Sequence, residues 1–473
     1  MGTTTDHLLG RNLRYFAKIE TTAGGAYGLD GQENVAGSNA LKVTASTIEF
    51  QVNRNDRSDS RTTRSLLERI TGKQEITWSC ETFVLPKGST SQMDVDPLLE
   101  AALGRTVMDG SNLVSKNITG IVLNNPVEIT VSAGHGYLTN DRVFISGVGG
   151  TTELNDKTYT ITKTSDTVFT LNGINGTSGH TSYTSGGTAK LTTYRPSDSN
   201  ALPTLRIART GNSVLREDLF GAYVEELTIN ASGGEAPKFS FSGTAFNYAL
   251  TGTATTEGTG GGSTKVLTTE TGQGVSMMVG SVISFASHTD RVVVSKSGDA
   301  LTLSANSTWS DAAAITPTTY DETTGGNPIS GMTGSLTLNS VEIPITSFDC
   351  TITNNNKAVA DEAFQKGTSD FICGFRSVSG TIGFRARKDL IKNLAQRYIQ
   401  TTSTADPSFT SIPVEVKLGT TSGKIVVIHL PTVELNFAAI EIPESEESIL
   451  SVPFTAIGSS GADEVLISFN QTS

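Results

Sequence analysis

Strict alternation of apolar and polar residues is the most informative local pattern in this chain. It begins where Leu41 and Val43 precede the run Ile-Glu-Phe-Gln-Val at residues 48–52. Successive side chains of a β-strand point to opposite faces, so this alternation predicts a half-buried strand. Similar short runs, separated by Gly, Asn and Asp, recur along the whole length. The pattern predicts a mainly β (α+β) protein with many tight turns.

The same order of elements occurs twice. Three hundred residues after the first run, Val341 and Ile343 precede Phe348, Cys350 and Ile352 with the same alternation. Each copy continues with a charged loop, a second alternating strand, a short helix and a closing hairpin, at 53–69, 76–80, 96–103 and 223–246 in the first copy and at 354–370, 378–384, 388–398 and 431–457 in the second. Chance rarely produces such an order twice, so two tandem copies of one fold are predicted.

The first predicted helix has a recognisable start. Asp96 is expected as its N-cap and Pro97 as its first helical residue. Its apolar positions are spaced to pack on a sheet. Each copy is therefore predicted to combine strands with one short flanking helix.

Two segments interrupt the copies. Residues 118–193 contain four strand-like runs and predict a small β-domain; a second β-rich insert follows a glycine-rich stretch at 258–262, which is expected to be a linker. Both inserts are expected on the outer surface, where insertions are tolerated. The predicted organisation is an N-terminal arm (1–40), a first copy (41–117 and 194–255), an insert (118–193), a linker with a second insert (256–335) and a second copy (336–473).

Composition and charge exclude several classes. The net charge is −12, whereas a protein that grips nucleic acid through its phosphates needs a basic surface. No apolar run reaches 18 residues, so no membrane span is predicted. The start lacks the features of a secretory signal, which predicts folding in the cytosol. Cys80, Cys350 and Cys373 lie in strand-like runs and are expected to be reduced and buried.

No catalytic, metal-binding or cofactor-binding constellation is predicted. The five histidines are scattered, and His135 and His180 lie in glycine-flanked loops, where solvated side chains are expected rather than metal ligands. Residues 258–265 lack the Gly-Lys-Ser/Thr ending of a phosphate loop. A polysaccharide-degrading enzyme needs two carboxylates at one site, and the sequence identifies no such pair. The chain is predicted not to be an enzyme.

Basic side chains in the two charged loops are candidates for a docking surface. Arg54, Arg57, Arg61 and Arg64 alternate with acids in the first loop, and Lys357 lies in the second. A loop of mixed sign suits contact with another protein surface. A solvated loop with no partner is the alternative.

Three segments carry a family resemblance. RSLLERITGKQEITWSCETFVLP (64–86) and DVDPLLEAALG (94–104) resemble tail tube proteins of long, non-contractile-tailed bacteriophages, and SVPFTAIGSSGADEVLISF (451–469) is similar to their C-terminal strand pair. The resemblance covers 40–104, about 202–248, and 336–469. It implies two tandem copies of a fold of two packed antiparallel sheets with a flanking helix. It also implies rings stacked into a tube, with strands of all subunits in one inner barrel.

The resemblance further implies a virion protein whose partners are copies of itself and the tape-measure, tail terminator and baseplate or tail-tip proteins. A ring of six tube folds needs only three chains when each chain carries two copies. An alternative class, a tail-fibre or adhesin-like virion protein, is also β-rich, rich in Gly and Thr, and acidic.

Aligned acids suggest the lining of the tube. The two copies place Glu49 beside Asp349 and Glu226 beside Glu434. If they face the bore, they repel double-stranded DNA weakly and let it pass without binding, since a basic bore would retain it. The alternative is that these acids face solvent on the outer sheet.

Overall fold

The computed structural model describes residues 10–23, 34–56, 68–88, 91–109, 112–199, 202–321, 325–338, 340–359, 366–385, 412–436, 449–458 and 461–472. Strands dominate these ranges, which contain one α-helix, so the predicted mainly β class is confirmed. Within the described residues, no helix combines the length and apolar character needed to cross a membrane.

The described residues as far as Thr251 contain seventeen strands and the helix. The elements before the first insert are β1 (Leu13–Ile19), β2 (Ala40–Leu41), β3 (Val43–Asn55), β4 (Ile70–Phe83), α1 (Asp96–Leu103), β5 (Met108–Asp109) and β6 (Asn112–Leu113). The first insert contains β7 (Ser115–Val122), β8 (Glu128–Val131), β9 (Arg142–Ser146), β10 (Lys157–Lys163), β11 (Val168–Leu171) and β12 (Thr188–Leu191). After it come β13 (Thr193–Tyr194), β14 (Leu205–Gly211), β15 (Leu215–Ser232), β16 (Lys238–Thr244) and β17 (Asn247–Thr251).

The second half begins with the second insert and continues to the carboxyl end. The insert contains β18 (Ala254–Thr255), β19 (Gly260–Thr268), β20 (Val282–Phe285), β21 (His288–Ser297), β22 (Ala300–Trp309) and β23 (Ala314–Pro317). The remaining strands are β24 (Gly334–Leu338), β25 (Val341–Ile343), β26 (Ile345–Thr353), β27 (Lys357–Val359), β28 (Asp370–Ile372), β29 (Ser377–Arg385), β30 (Ile412–Leu418), β31 (Ile425–Leu435), β32 (Ile449–Ala456) and β33 (Leu466–Gln471).

Two sets of strands pair in the same order. The first set runs β2–β1–β14–β15–β16–β4–β3, and the second runs β25–β24–β30–β31–β32–β29–β26, with every pair antiparallel. In each set the longest strand, β15 or β31, pairs with one group of strands along its first part and with another along its second. Strand β1 lies in the segment predicted as an N-terminal arm, and this strand belongs to the first set.

β-Bulges fix the residue correspondence between the sets. The β3–β4 ladder shifts between Val43 and Ala45, and the β26–β29 ladder shifts between Ile345 and Ser347. A bulge is a specific feature of a strand pair, so matching the bulges aligns Val43 with Ile345. The apolar alternation alone aligned Val43 with Ile343. A shift of two residues leaves the apolar face unchanged, which is why the pattern could not reveal it.

A second pair of bulges supports the same correspondence. The β14–β15 ladder shifts between Leu205 and Ile207, and the β30–β31 ladder shifts between Ile412 and Val414. Leu205 lies opposite Ala222, and Ile412 lies opposite Val433. Residue 222 of β15 therefore corresponds to residue 433 of β31.

Helix α1 packs on the first set through a face that includes Leu98, Leu99 and Ala102, all fully buried. Asp96, predicted as the N-cap, is instead the first helical residue, and its carboxylate accepts a hydrogen bond from Tyr194 at 2.6 Å. The hydrogen bond from Tyr194 occupies a carboxylate oxygen that an N-cap would use to accept from a backbone N–H of the helix. The second predicted helix, 388–398, lies outside the described residues.

The two inserts share one strand order. Strands β7–β12 form a closed barrel in the order β10–β11–β8–β7–β12–β9. The second insert pairs in the corresponding order, β21–β22–β19 on one side and β18–β23–β20 on the other, and a bridge between Thr256 and Thr269 links its two edges. The second insert has a hydrophobic core of its own, which includes Leu267, Ile283 and Trp309.

The glycine-rich stretch predicted as a linker belongs to the second insert. Gly260 begins β19 and pairs with Trp309 of β22. A Cβ added to Gly260 would lie 2.3 Å from the indole ring, so only glycine leaves room for the tryptophan. The glycine serves close packing rather than chain flexibility.

This packing gives a first prediction. Gly260→Ala should destabilise the second insert by about 1–3 kcal/mol, because the added methyl group collides with Trp309. Gly261→Ala is the matched control, since a Cβ at Gly261 meets no atom within 4 Å. Urea unfolding followed by tryptophan fluorescence measures both. Equal stability of the two variants would contradict the assigned role of Gly260.

Candidate functional site

One ladder joins the two sets into a continuous sheet. The second half of β15 pairs with β26, beginning at Glu226 opposite Thr353. Near its middle, the hydroxyl oxygens of Thr228 and Thr351 lie 3.2 Å apart. The joined sheet has eight strands in the order β3, β4, β16, β15, β26, β29, β32, β31. We refer to it as the eight-stranded sheet and to β15–β26 as its internal junction.

The eight-stranded sheet has one apolar face and one polar face. On β26, Phe348, Cys350 and Ile352 are buried, whereas Asp349 and Thr351 between them are partly exposed. This is the period-two alternation that the sequence predicts. The polar face carries mainly hydroxyl and acidic side chains; its hydroxyl groups include Thr47, Thr77, Ser79, Ser240, Ser242, Ser379, Thr381, Ser451 and Thr455.

All four predicted lining acids lie on this polar face. Glu49, Glu226 and Glu434 are exposed and lie opposite Thr77, Ser242 and Thr455 respectively. Asp349 is partly buried, because its carboxylate accepts a hydrogen bond from the backbone N–H of Thr381 at 3.1 Å and another from the Thr381 hydroxyl. The structure therefore brings the four acids onto one surface.

Further acids extend the negative charge of this face. Glu75 and Glu81 lie on β4 on the same side as Thr77. Lys238 of β16 also reaches this face, where its ammonium group lies 2.9 Å from Glu81. The hydrogen bond from Lys238 lowers the pKa of Glu81, followed by one from Thr44. The charge of Lys238 is thus matched by a neighbouring carboxylate.

The predicted one-to-one pairing of the acids requires correction. The bulges align Glu49 with Thr351 and Asp349 with Thr47, two residues away from the predicted equivalence. In the other pair, Glu434 corresponds to Tyr223, and the position corresponding to Glu226 is residue 437, which lies outside the described residues. The acids share a face but do not occupy equivalent points.

The predicted docking loops are only partly described. Arg54 and Lys357 are both exposed at one end of the eight-stranded sheet, whereas Arg57, Arg61 and Arg64 lie outside the described residues. The second loop contains secondary structure, since β27 lies in it and pairs with β28. We call this end of the sheet the loop end.

The free edge of the sheet differs from its internal junction in burial. Within the described residues, β3 pairs along its main length with β4 alone. Phe50 of β3 is 36% exposed, whereas the corresponding Ile352 of β26 is fully buried beside β15. Ile48 is likewise partly exposed, and its counterpart Cys350 is buried. Strand β3 therefore leaves partly exposed the apolar strip whose counterpart on β26 is buried against β15.

The residues with chemical potential elsewhere are mostly buried. His135, predicted to be solvated, is 2% exposed, because its ring stacks on Tyr137 and meets the edge of Phe169 in the barrel core. Burial raises the pKa of Cys80 and Cys350 to about 12, so their thiols stay protonated, as in inert structural cysteines.

Cys373, predicted to be buried, is partly exposed just beyond β28. Among the described residues, no group of three His, Cys, Asp or Glu side chains is arranged to hold a metal ion.

Ionic contacts hold the first insert against both sets. The fully buried carboxylate of Asp141 lies 2.9 Å from Arg105 and 3.3 Å from Arg195. Arg142 reaches Glu415 of β30 at 2.6 Å. None of these partners lies on the polar face of the eight-stranded sheet.

Comparison with known proteins gives one local similarity. Residues 124–192 match the family model of the Ubiquitin-activating enzyme E1 FCCH domain. These residues contain β8–β12 of the closed barrel, so the similarity concerns the first insert. No curated protein matches the chain.

Proposed function

We propose that this chain is the structural subunit of a bacteriophage tail tube. Three chains close into a ring, the polar face of the eight-stranded sheet lines the bore, and stacked rings form the channel for DNA. The internal junction carries this proposal: it joins two sets of the same strand order. The two outer edges of the joined sheet are β3 and the end of β31, which correspond to the junction strands β26 and β15 respectively.

Repeating the internal junction between chains closes the ring. In the junction, the backbone N–H of Asn354 donates to the carbonyl oxygen of Glu225 at 2.9 Å. The bulge correspondence relates Glu225 to Asn436 and Asn354 to Val52. The end of β31 in one chain would then pair with β3 of the next, with Asn436 opposite Val52.

This closure removes a hazard and covers an apolar strip. An unpaired edge strand offers its N–H and C=O groups to any passing strand, which favours aggregation. Pairing β3 with the next chain satisfies these groups and covers Phe50 as β15 covers Ile352 of β26. A cyclic arrangement gives each edge a partner without leaving a free end.

The polar face suits the wall of a DNA channel. Duplex DNA carries one negative charge for about every 1.7 Å of its axis, so basic walls would bind it through counterion release. Acids and hydroxyl groups dominate the described part of the polar face. Of its cations, Lys238 is paired with Glu81, and Lys73 and Arg385 lie near the ends of β4 and β29. Salt limits the repulsion to about 8 Å, so DNA is kept off the wall without being blocked.

The inserts attach on the other side of the molecule. The first insert contacts β30 through Glu415, and the second contacts the first part of β15, where Arg216 donates to the carbonyl oxygen of Thr318 at 3.0 Å. Both positions belong to strands outside the eight-stranded sheet or to the part of β15 that precedes it. The inserts would therefore decorate the outside of the tube, and a tape-measure protein, a terminator and tail-tip proteins would be the virion partners.

Cysteine pairs test the ring contact and its register. Asn436→Cys combined with Val52→Cys, or with the adjacent Gln51→Cys, should cross-link neighbouring chains on oxidation. Cys373→Ser removes the partly exposed native thiol from the background. Denaturing gels should show covalent dimers and a closed species of three chains that reverts to monomer on reduction.

The internal junction supplies the matched control. Thr228→Cys with Thr351→Cys replaces hydroxyl groups 3.2 Å apart within one chain, so oxidation should leave the mass unchanged. If rings form but neither Asn436 pair links them, the proposed register is wrong.

The lining role of the acids gives a separate prediction. Glu49→Lys or Glu226→Lys should permit tube assembly but slow DNA ejection severalfold, because each adds a cationic ring that attracts phosphates. Glu257→Lys makes the same charge change at an exposed position of the second insert. Ejection is followed by dye fluorescence in virions built with each variant. Equal rates for all three variants would remove Glu49 and Glu226 from the bore.

A further inference from the structure

Phe375 protrudes into solvent at the loop end of the eight-stranded sheet. Its side chain is 97% exposed, and its carbonyl oxygen accepts a hydrogen bond from the side chain of Asn355 at 2.7 Å. Ile372 and its counterpart in the first set, Ile70, are also mostly exposed there. Large apolar side chains exposed at one end of a sheet are candidates for an interaction site.

A cavity lies at the other end of the same strands. It has a volume of about 320 Å³ and opens beside Met332, which is 84% exposed. Its apolar lining comes from three parts of the fold and includes Ala231, Leu336, Ile345 and Val416. A cavity of about 150 Å³ is enough to hold a benzene ring, so this one can accept a phenylalanine side chain.

The two features are too far apart to meet within one chain. Strand β26 begins at the cavity with Ile345 and ends at Thr353, two residues before Asn355. Nine strand residues rise about 3.3 Å each, which separates Phe375 from the cavity by about 30 Å. If a second copy is displaced along the strand direction, its cavity comes to lie beside Phe375 of the first copy.

We propose that Phe375 of one ring enters this cavity in the next ring and so stacks the rings head to tail. The proposal rests on the proposed function, since it assumes rings whose axis follows the strands. A contact between two different patches of one chain does not close on itself and builds a filament. A single buried aromatic anchor is a common centre of such contacts.

The contact distinguishes the two sets of strands. The residue of the first set that corresponds to Phe375 is Lys73, and the counterparts of Leu336 and Val416 are the larger or charged Tyr15 and Arg209. Each chain then offers one protruding ring and one cavity. Successive rings would therefore stack in one fixed orientation, with the second set of each chain over the cavity of the chain below. The other pseudo-equivalent orientation, with the first set over that cavity, would not occur.

Charge substitutions on the two sides test the contact. Phe375→Asp and Met332→Asp change exposed side chains at opposite ends of the sheet, and each should yield closed rings that no longer form tubes. Val275→Asp is the matched control, because Val275 is an equally exposed apolar residue, at 82%, in the second insert. Electron microscopy and sedimentation of the purified chains distinguish monomers, rings and tubes.

A cross-link gives a second, independent measurement. Phe375→Cys with Met332→Cys, in a Cys373→Ser background, should produce covalent ladders longer than three chains. Tubes of normal length from Phe375→Asp, or ladders that never form in assembled tubes, would overturn the contact. An unaltered chain that never forms rings would overturn the proposed function as well, so the two failures are distinguishable.

Discussion

Strand pairing at the edges of the eight-stranded sheet is the constraint on which the account depends. A β-strand at an edge presents unpaired backbone donors and acceptors, and the remedy inside this chain is the pairing of β15 with β26. That ladder buries Cys350 and Ile352 completely, whereas Ile48 and Phe50 of β3 stay partly exposed. The duplication leaves the counterparts of these two strands, β3 and the end of β31, at the outer edges of the sheet. The proposed closure into a ring would satisfy them with a contact that the fold already contains.

The division of the sheet into two faces links this constraint to the proposed activity. Alternation places core residues such as Phe241 and Ile352 on one side and Glu49, Glu226 and Asp349 on the other. The apolar side packs against the remaining strands of each set, and the ionic contacts of Asp141 and Arg142 fasten the first insert to those outer strands and loops. In the proposed ring, the polar side would face the lumen. A transport channel for a polyanion requires a wall of this kind, with little positive charge to retain the cargo.

Much of the fold could be predicted from the sequence, and the remainder depended on information that a period of two does not contain. Alternation identified β3, β26 and their partners, but it cannot distinguish a register from one shifted by two residues, so the bulges at Val43 and Ile345 were needed. The role of Gly260 was missed because its reason, the ring of Trp309, lies far away in sequence. The prediction that His135 is solvated was wrong, because it was based only on the glycine residues that flank it. The exposure of Phe375 and the cavity beside Met332 had no signal in the pattern, because each depends on how distant strands end.

The symmetry of the assembled ring tests the central claim most directly. Electron microscopy of the purified protein at high concentration should show rings that have three-fold symmetry with pseudo-six-fold character, built from three chains joined through β31 and β3. The inserts should project outwards, and the eight-stranded sheets should form one inner wall. Rings of six identical chains, or isolated globules and rods with no closed ring, would contradict the account.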